Sequence, residues 1–348
     1  MNSANTRMNY IDHAKALGII FICLGHFLPS GYWLKVLLYS FHVPIFTYIS
    51  GILFKTPKTY MACLKKVLSL LKRIVLPYTV WHVISSLILF SMIPWDFPRF
   101  IKSYFFLENK TIWNDALWYL PSFFIISTIF IFFCRLIKGN RIICAVVSLF
   151  AFVTFSILNI TNTVITVFGY QNFLGAKNLV LLFAFYCLGF SSTPIISKII
   201  HFNPNAKKNV FIYASITIFF ICCAVSIHFN NNDPITLLYG DYNDTIRFVI
   251  LAIIMSVTFI LSCAILPQNN VMALLSANSL FIMSSHYIFI NYWLWAKLSI
   301  LQHTAFTGAS LAANVLLTYT LFLLLLQKVF KNHKKLASPL KVFGINMI

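Results

Sequence analysis

Ionisable side chains are rare within the long apolar runs of this chain, so the few that occur there are the first candidates for chemistry. The opening run reads Tyr10-Ile-Asp12-His13-Ala-Lys15 and continues through Gly18 to Gly25-His26. Eleven residues separate Lys15 from His26. At ~100° per residue they share one helical face, about 16 Å apart along the axis. Asp12 and Lys15 are three apart and can pair, which lessens the cost of burying them. An unperturbed imidazole titrates near ~6.5, so His26 is suited to take the proton of an attacking hydroxyl. A plainer alternative has Asp12 and Lys15 reaching back to the inner interface while His26 caps the outer end. The shared face favours a common purpose.

The second run contains Phe41-His42-Val43-Pro44-Ile45-Phe46 and then Ser50-Gly51. Pro44 loosens the backbone of the preceding turn, where His42 sits. His26 and His42 would then face the outer half of one cavity; each could also be a packing residue. Lys65-Lys66 and Lys72-Arg73 form a basic run that ends in Pro77-Tyr78. Lys66 and Arg73, seven apart, share a helical face at the cytoplasmic edge, with Lys72 beside them. Such a cluster offers cations to a polyphosphate, and the planar fork of Arg suits phosphate. Membrane topology alone also collects Lys and Arg at that edge. Leu117-Trp118-Tyr119-Leu120-Pro121 opens a later helix, where Trp118 reads as an interfacial anchor or a substrate contact. His286, within Ser284-Ser285-His286-Tyr287, reads first as a helix–helix hydrogen bond. The cysteines lack metal-ligand spacing, and no metal is expected.

The elements that hold these residues follow from composition. The 348 residues are 60% hydrophobic and only 9% charged, with mean hydropathy +0.85. A soluble domain carries roughly 25% charged residues. Disorder is excluded by the same apolar content, and a β-barrel by unbroken apolar runs in place of alternation. The fold class is therefore all-α: a polytopic membrane protein of about ten transmembrane helices. The spans are expected near 10–28, 34–54, 74–94, 116–136, 142–159, 179–197, 209–228, 247–266, 273–294 and 306–327.

The net charge of +19 is placed by topology and does not indicate nucleic acid. Arg7, the basic residues from Lys55 to Arg73, Arg135, Lys138, Arg141, Lys198, Lys207, Lys208 and the lysines from Lys328 to Lys341 fall on one side without an acid. Asp96, Glu108, Asp115, Asp233, Asp241 and Asp244 fall on the other, beside Lys35 and a few more cations. The basic side is cytoplasmic, which puts both termini inside. Asp12 and Lys15 interrupt the first apolar run and no cleavage site is evident, so it is expected to be a retained helix and not a signal peptide. A single membrane domain over 1–348 is expected, with no appended soluble domain. The outer connectors, about 95–115 and 229–246, are rich in Asn, Asp and aromatic residues, which suits carbohydrate contact and also turns.

Taken in order, Asp12-x-x-Lys15, Gly25-His26, Ser40-Phe41-His42-Val43-Pro44-Ile45-Phe46 with Ser50-Gly51, Pro77-Tyr78, Leu117-Trp118-Tyr119-Leu120-Pro121 and Ser279-Leu280 with His286 resemble the membrane acyltransferase-3 superfamily, most closely its sugar O-acetylase branch. The resemblance implies a ten-helix domain that moves an acetyl group from cytoplasmic acetyl-CoA to a sugar hydroxyl outside. The family's pattern of a basic residue and a histidine falls on Lys15 and His26, and implies that the histidine is catalytic. Its Arg-x-x-Arg before the third helix is here Leu70-x-x-Arg73, with Lys66 one turn earlier in place of the first Arg. A late acidic residue used by some members has no counterpart. The expected partners are a glycan or lipid-linked sugar acceptor and the bilayer, and the acyl donor is acetyl-CoA. Asp12 and Lys15 would organise the inner end of the cavity, and His42 would orient His26 or the sugar. The Phe-, Ile- and Asn-rich composition is similar to that of bacterial surface-polysaccharide clusters, which implies the bacterial cytoplasmic (inner) membrane. A transporter or flippase of lipid-linked glycans is the other class this composition admits. A glycan polymerase, which needs an Arg-rich outer loop, fits less well.

Overall fold

In lipid every backbone amide must find its partner inside the chain, and the apolar runs meet this demand as helices. The computed structural model describes residues 8–90, 97–105, 114–161, 178–201, 206–230, 233–237, 240, 242–297, 305–330 and 338–347. In chain order the helices are α1 (Asn9–Phe27), α2 (Trp33–Tyr39), α3 (Pro44–Ile52), α4 (Tyr60–Leu70), α5 (Leu76–Phe90), α6 (Phe97–Phe105) and α7 (Tyr119–Leu136). They continue with α8 (Arg141–Ile160), α9 (Leu179–His201), α10 (Ala206–Phe229), α11 (Thr245–Ser262), α12 (Asn270–Ala277), α13 (Ser279–Lys297) and α14 (Ala305–Phe330). A π turn, Leu71–Val75, joins α4 to α5, and short 3-10 turns occupy Asp115–Trp118, Cys263–Ile265 and Ser338–Phe343.

Side-chain caps start several of these helices. Thr59 accepts from the Ala62 amide, and Asn140 and Asn269 each accept from two amides of the turn that follows. The π turn interrupts the i→i−4 ladder in the middle of the basic run, and such turns recur at functional sites.

Seven helical segments among the described residues are long and apolar enough to cross a membrane, or eight if the bent pair α12–α13 is one span. Asp115–Leu136, Arg141–Ile160, Leu179–Ile200, Val210–Phe229, Thr245–Ile265 and Phe306–Phe330 agree with the expected spans within a few residues. The seventh, Tyr60–Ile88, begins well before the expected 74, because the basic run is helical and continuous with α5. Three expected spans depart from a plain apolar helix. α1 is continuous but holds Asp12, His13, Lys15 and His26, and it is not among the seven. The expected span 34–54 breaks at 40–43 into α2 and α3, with Pro44 in the first turn of α3, where its missing amide costs nothing. The expected span 273–294 bends by 71° between α12 and α13. Asn278 sits at that break and donates its side-chain amide to the Leu274 carbonyl. Arg7, Asp96, Glu108 and Asp241, named above for topology, lie outside the described residues, as do Lys331, Lys334 and Lys335 of the last basic stretch.

The polar α1 is placed in the interior. Ala14, Ala16, Ile19 and Cys23 are fully buried, and α2, α3 and α11–α14 pack around the helix. Other helices turn apolar faces outward, such as Ile142, Val146, Leu149, Phe150 and Val153 of α8, as lipid contact requires. Close approach of α3 and α9 depends on two glycines. A Cβ on Gly51 would run into the backbone of Tyr186 and lie 2.7 Å from the Phe190 nitrogen, and one on Gly189 would strike the Tyr48 carbonyl. Small residues at a crossing let membrane helices gain dispersion contact along their backbones. All eight cysteines are free and buried.

Candidate active site

Breaking the second span leaves a space beside the C-terminal end of α1. His26, one residue before the end of α1, faces a chamber of about 310 Å³. His42 reaches it from the break between α2 and α3, Tyr39 and Lys35 from α2, and Asp115 and Trp118 from the 3-10 turn before α7. Pro234–Leu237 of the connector before α11 cover one side. Neutral hydrogen bonds pin that connector: Asn178 donates to the Leu237 carbonyl at 2.7 Å, and the Tyr242 hydroxyl donates to Asn178 Oδ1 at 2.8 Å.

Tyr39 organises the histidines. Its hydroxyl and His26 Nδ1 share a hydrogen bond of 3.2 Å, and its ring lies 4.7 Å from that of His42, centre to centre. The His26 ring is further hemmed in by Tyr287 at 5.5 Å and by His286 at 5.1 Å. In the tautomer whose Nδ1–H donates to the phenol oxygen, Nε2 carries the lone pair and is the nitrogen left to act as base. His42 is held by the preceding turn, Nδ1 lying 2.8 Å from the Leu38 carbonyl of α2, and packs against Tyr39. The Tyr287 hydroxyl donates to Asp115 Oδ2 at 3.2 Å. Asp115 and Lys35 thus bring side chains of opposite charge type to the same chamber. Gly25 makes room for this arrangement, since a Cβ there would lie 2.8 Å from Tyr39 Cε2.

A second, larger chamber of about 860 Å³ lies nearer the start of α1. Among the described residues Lys15 of α1, Lys72 and Arg73 of the π turn, and Lys341 of the last 3-10 turn line it, and no carboxylate does. Phe46, Tyr119 and Met283 line both chambers, which therefore meet at these side chains. α1 carries Lys15 into one chamber and His26 into the other, as their common face requires.

A match to a known family decides the chemical class. The model of a family described as an acyltransferase domain matches residues 8–333. The chain belongs to the acyltransferase-3 family. No curated protein and no solved structure matches it.

Of the expected site residues, the acyltransferase brings His26, His42 and Trp118 together in the smaller chamber, termed outer after the topology expected from charge, and Lys15, Lys72 and Arg73 in the larger, termed inner. Three stand apart. Lys66 is turned away: its ammonium donates to the Lys55 carbonyl and sits 4.2 Å over the Phe54 ring. The intervening π turn winds more slowly than an α-helix, so residues seven apart no longer stack, and Lys66 does not share the chamber of Arg73. Asp12 accepts from the Ser276 hydroxyl at 2.7 Å and ties α1 to α12. His286 is fully buried behind His26, with Nδ1 3.0 Å from the Ile282 carbonyl of its own helix. Sequence reasoning missed Tyr39, Tyr287 and Lys341, and treated Asp115 and Lys35 as loop charges only. Among the described residues no group of three His, Cys, Asp or Glu side chains is placed to hold a metal ion.

Proposed function

We propose that this acyltransferase moves an acetyl group from cytoplasmic acetyl-CoA to a hydroxyl of a glycan or lipid-linked sugar outside a bacterial cytoplasmic membrane. The observation that carries the reading is the pair of chambers meeting at Phe46, Tyr119 and Met283, one lined by cations and the other by His26. Arg73, Lys72 and Lys15 would hold the phosphates of the donor, and the inner chamber has both the size and the single sign of charge that this ligand needs. Trp118, Tyr39 and Tyr287 offer aromatic surface for sugar C–H groups, while Asp115 and His42 offer polar partners for hydroxyls. In the transfer, Nε2 of His26 takes the acceptor proton as the oxygen attacks the thioester carbon. The new C–O bond forms, the C–S bond breaks, and the proton passes from His26 to the departing thiolate. His42 supports Tyr39, and through it His26.

The same reading counts ten crossings with both termini inside. Beyond the seven apolar helices, the bent pair α12–α13, the broken pair α2–α3 and the polar α1 supply the remaining three. A flippase of lipid-linked glycans is not favoured by the family match. The deciding experiment incubates membranes with isotopically labelled acetyl-CoA and follows alkali-labile label on surface glycan. Label should appear with the intact chain and vanish with His26→Gln. Label that never leaves acetyl-CoA, with the protein inserted, would overturn the assignment.

A further inference from the structure

We infer that Lys341, on the segment following α14, is a donor-phosphate ligand, so that this segment forms one wall of the donor chamber. The inference rests on the acyl-CoA reading of that chamber. Lys341, Val342, Gly344 and Asn346 line it, and their segment packs beside the π turn that carries Lys72 and Arg73. From sequence Lys341 is one more member of a basic stretch that topology explains. Its surroundings say more, because the segment is docked in place.

The docking bonds are neutral and specific. The Trp81 indole N–H donates to the Phe343 carbonyl at 3.0 Å. The Asn346 amide donates to Asn278 Oδ1 at 2.7 Å, and its side chain donates to the Ala277 carbonyl at 2.8 Å. Gly344 has φ +83°, in the left-handed region, and a Cβ there would collide with Leu280. Asn278 is also the residue at the α12–α13 bend, so one side chain fixes both the bend and the wall.

These bonds bring Lys341 up to a chamber that Lys72 and Arg73 also line, together with Lys15 of α1. Holding like charges around one cavity is unfavourable until an anion arrives, and concentrates anions there. Cations drawn from α1, the π turn and the last 3-10 turn line one cavity. A ligand with several phosphates can meet them together, whereas an isolated phosphate would meet one or two. Lys341 is exposed, so it can meet phosphate without being desolvated beforehand.

The test measures coenzyme A binding to the full detergent-solubilised chain by calorimetry across a salt series. Lys341→Gln should weaken binding roughly ten- to a hundred-fold, the effect of one lost charge-assisted contact, and should flatten the dependence on salt. Lys341→Arg should restore both. Lys328→Gln removes a charge from an exposed position at the end of α14 and should change neither. Gly344→Ala keeps the lysine but dislodges its segment, and should weaken binding like Lys341→Gln. Affinity unchanged in Lys341→Gln, with Arg73→Ala still losing it, would overturn the role of Lys341 and leave the donor reading standing. No binding of coenzyme A by the unaltered chain would overturn both.

Discussion

The Tyr39 hydroxyl lies 3.2 Å from Nδ1 of His26, and this bond fixes which face of the imidazole is offered to the outer chamber. A base whose ring can rotate spends much of its time misaligned, so the phenol contributes orientation without touching the reacting atoms. Tyr39→Phe keeps the ring and removes the bond. A net hydrogen bond of 0.5–1.5 kcal/mol corresponds to a fall in turnover of roughly two- to tenfold. The KM for acetyl-CoA should stay as it is, because Tyr39 lines the outer chamber only. Gly25→Ala should act in the same direction by displacing the Tyr39 ring. Unaltered turnover in Tyr39→Phe would remove Tyr39 from the positioning role.

His26 itself should matter more than any residue around it. A general base contributes typically 10²–10⁴-fold, so His26→Gln should bring acetyl transfer near background while the protein still binds coenzyme A. His286→Gln should cost less turnover, because that ring is buried behind His26 and bonded within its own helix. His42→Gln should fall between them, since His42 packs against Tyr39, which bonds to His26. Transfer rates in membranes matched for protein level decide the order. If His42→Gln were the more damaging change, the base would have to be reassigned.

How far these residues could be read from sequence depends on whether periodicity alone places them. Lys15 and His26 sit on one uninterrupted helix, so their spacing was enough to set them on one face and at opposite ends. Six apolar spans emerge for a similar reason, each being one continuous apolar helical run. Lys66 and Arg73 obey the same arithmetic in sequence, yet a π turn between them changes the winding, and nothing in Leu-Lys-Arg-Ile-Val announces it. Tyr39 and His42 are three apart and would be neighbours on a straight helix as well; the bond from Tyr39 to His26 arises only from the packing of α2 on α1, which periodicity does not announce. Asp115 and Lys341 looked sufficiently explained by the charge asymmetry of the loops. Their second role comes from tertiary docking, through Tyr287 in one case and the Asn278–Asn346 pair in the other.

The crossing of α3 and α9 should be the place where one methyl group does most harm. Gly51→Ala would drive a Cβ into the backbone of Tyr186 and Phe190, so the helices must separate along their whole contact. Overpacking of this kind typically costs about 1–3 kcal/mol. Thermal unfolding in detergent should shift down accordingly for Gly51→Ala and for Gly189→Ala. Gly18→Ala should be milder, as its Cβ would press only on the Phe46 ring edge at 3.0 Å, which can turn aside. Equal Tm values for Gly51→Ala and the unaltered chain would mean that the two helices are not so close.

Arg73 and Lys66 provide the sharpest contrast, because sequence treats them as equivalent and the fold separates them. Arg73 lines the inner chamber, whereas the Lys66 ammonium is spent on the Lys55 carbonyl and the Phe54 ring. If the donor phosphates rest on the π turn, Arg73→Ala should raise the KM for acetyl-CoA more than it lowers kcat. A charge-assisted contact of about 1.5–3 kcal/mol makes that increase roughly ten- to a hundred-fold. Lys72→Ala should move KM in the same direction, since the chamber's potential is a sum over its cations. Lys66→Ala should leave KM where it is and act, if anywhere, on stability, through the lost cation–π contact of about 0.5–1 kcal/mol. Initial rates over a range of acetyl-CoA concentrations, at fixed acceptor, separate the three. A KM that rises for Lys66→Ala as much as for Arg73→Ala would move the donor site off the π turn and toward α4.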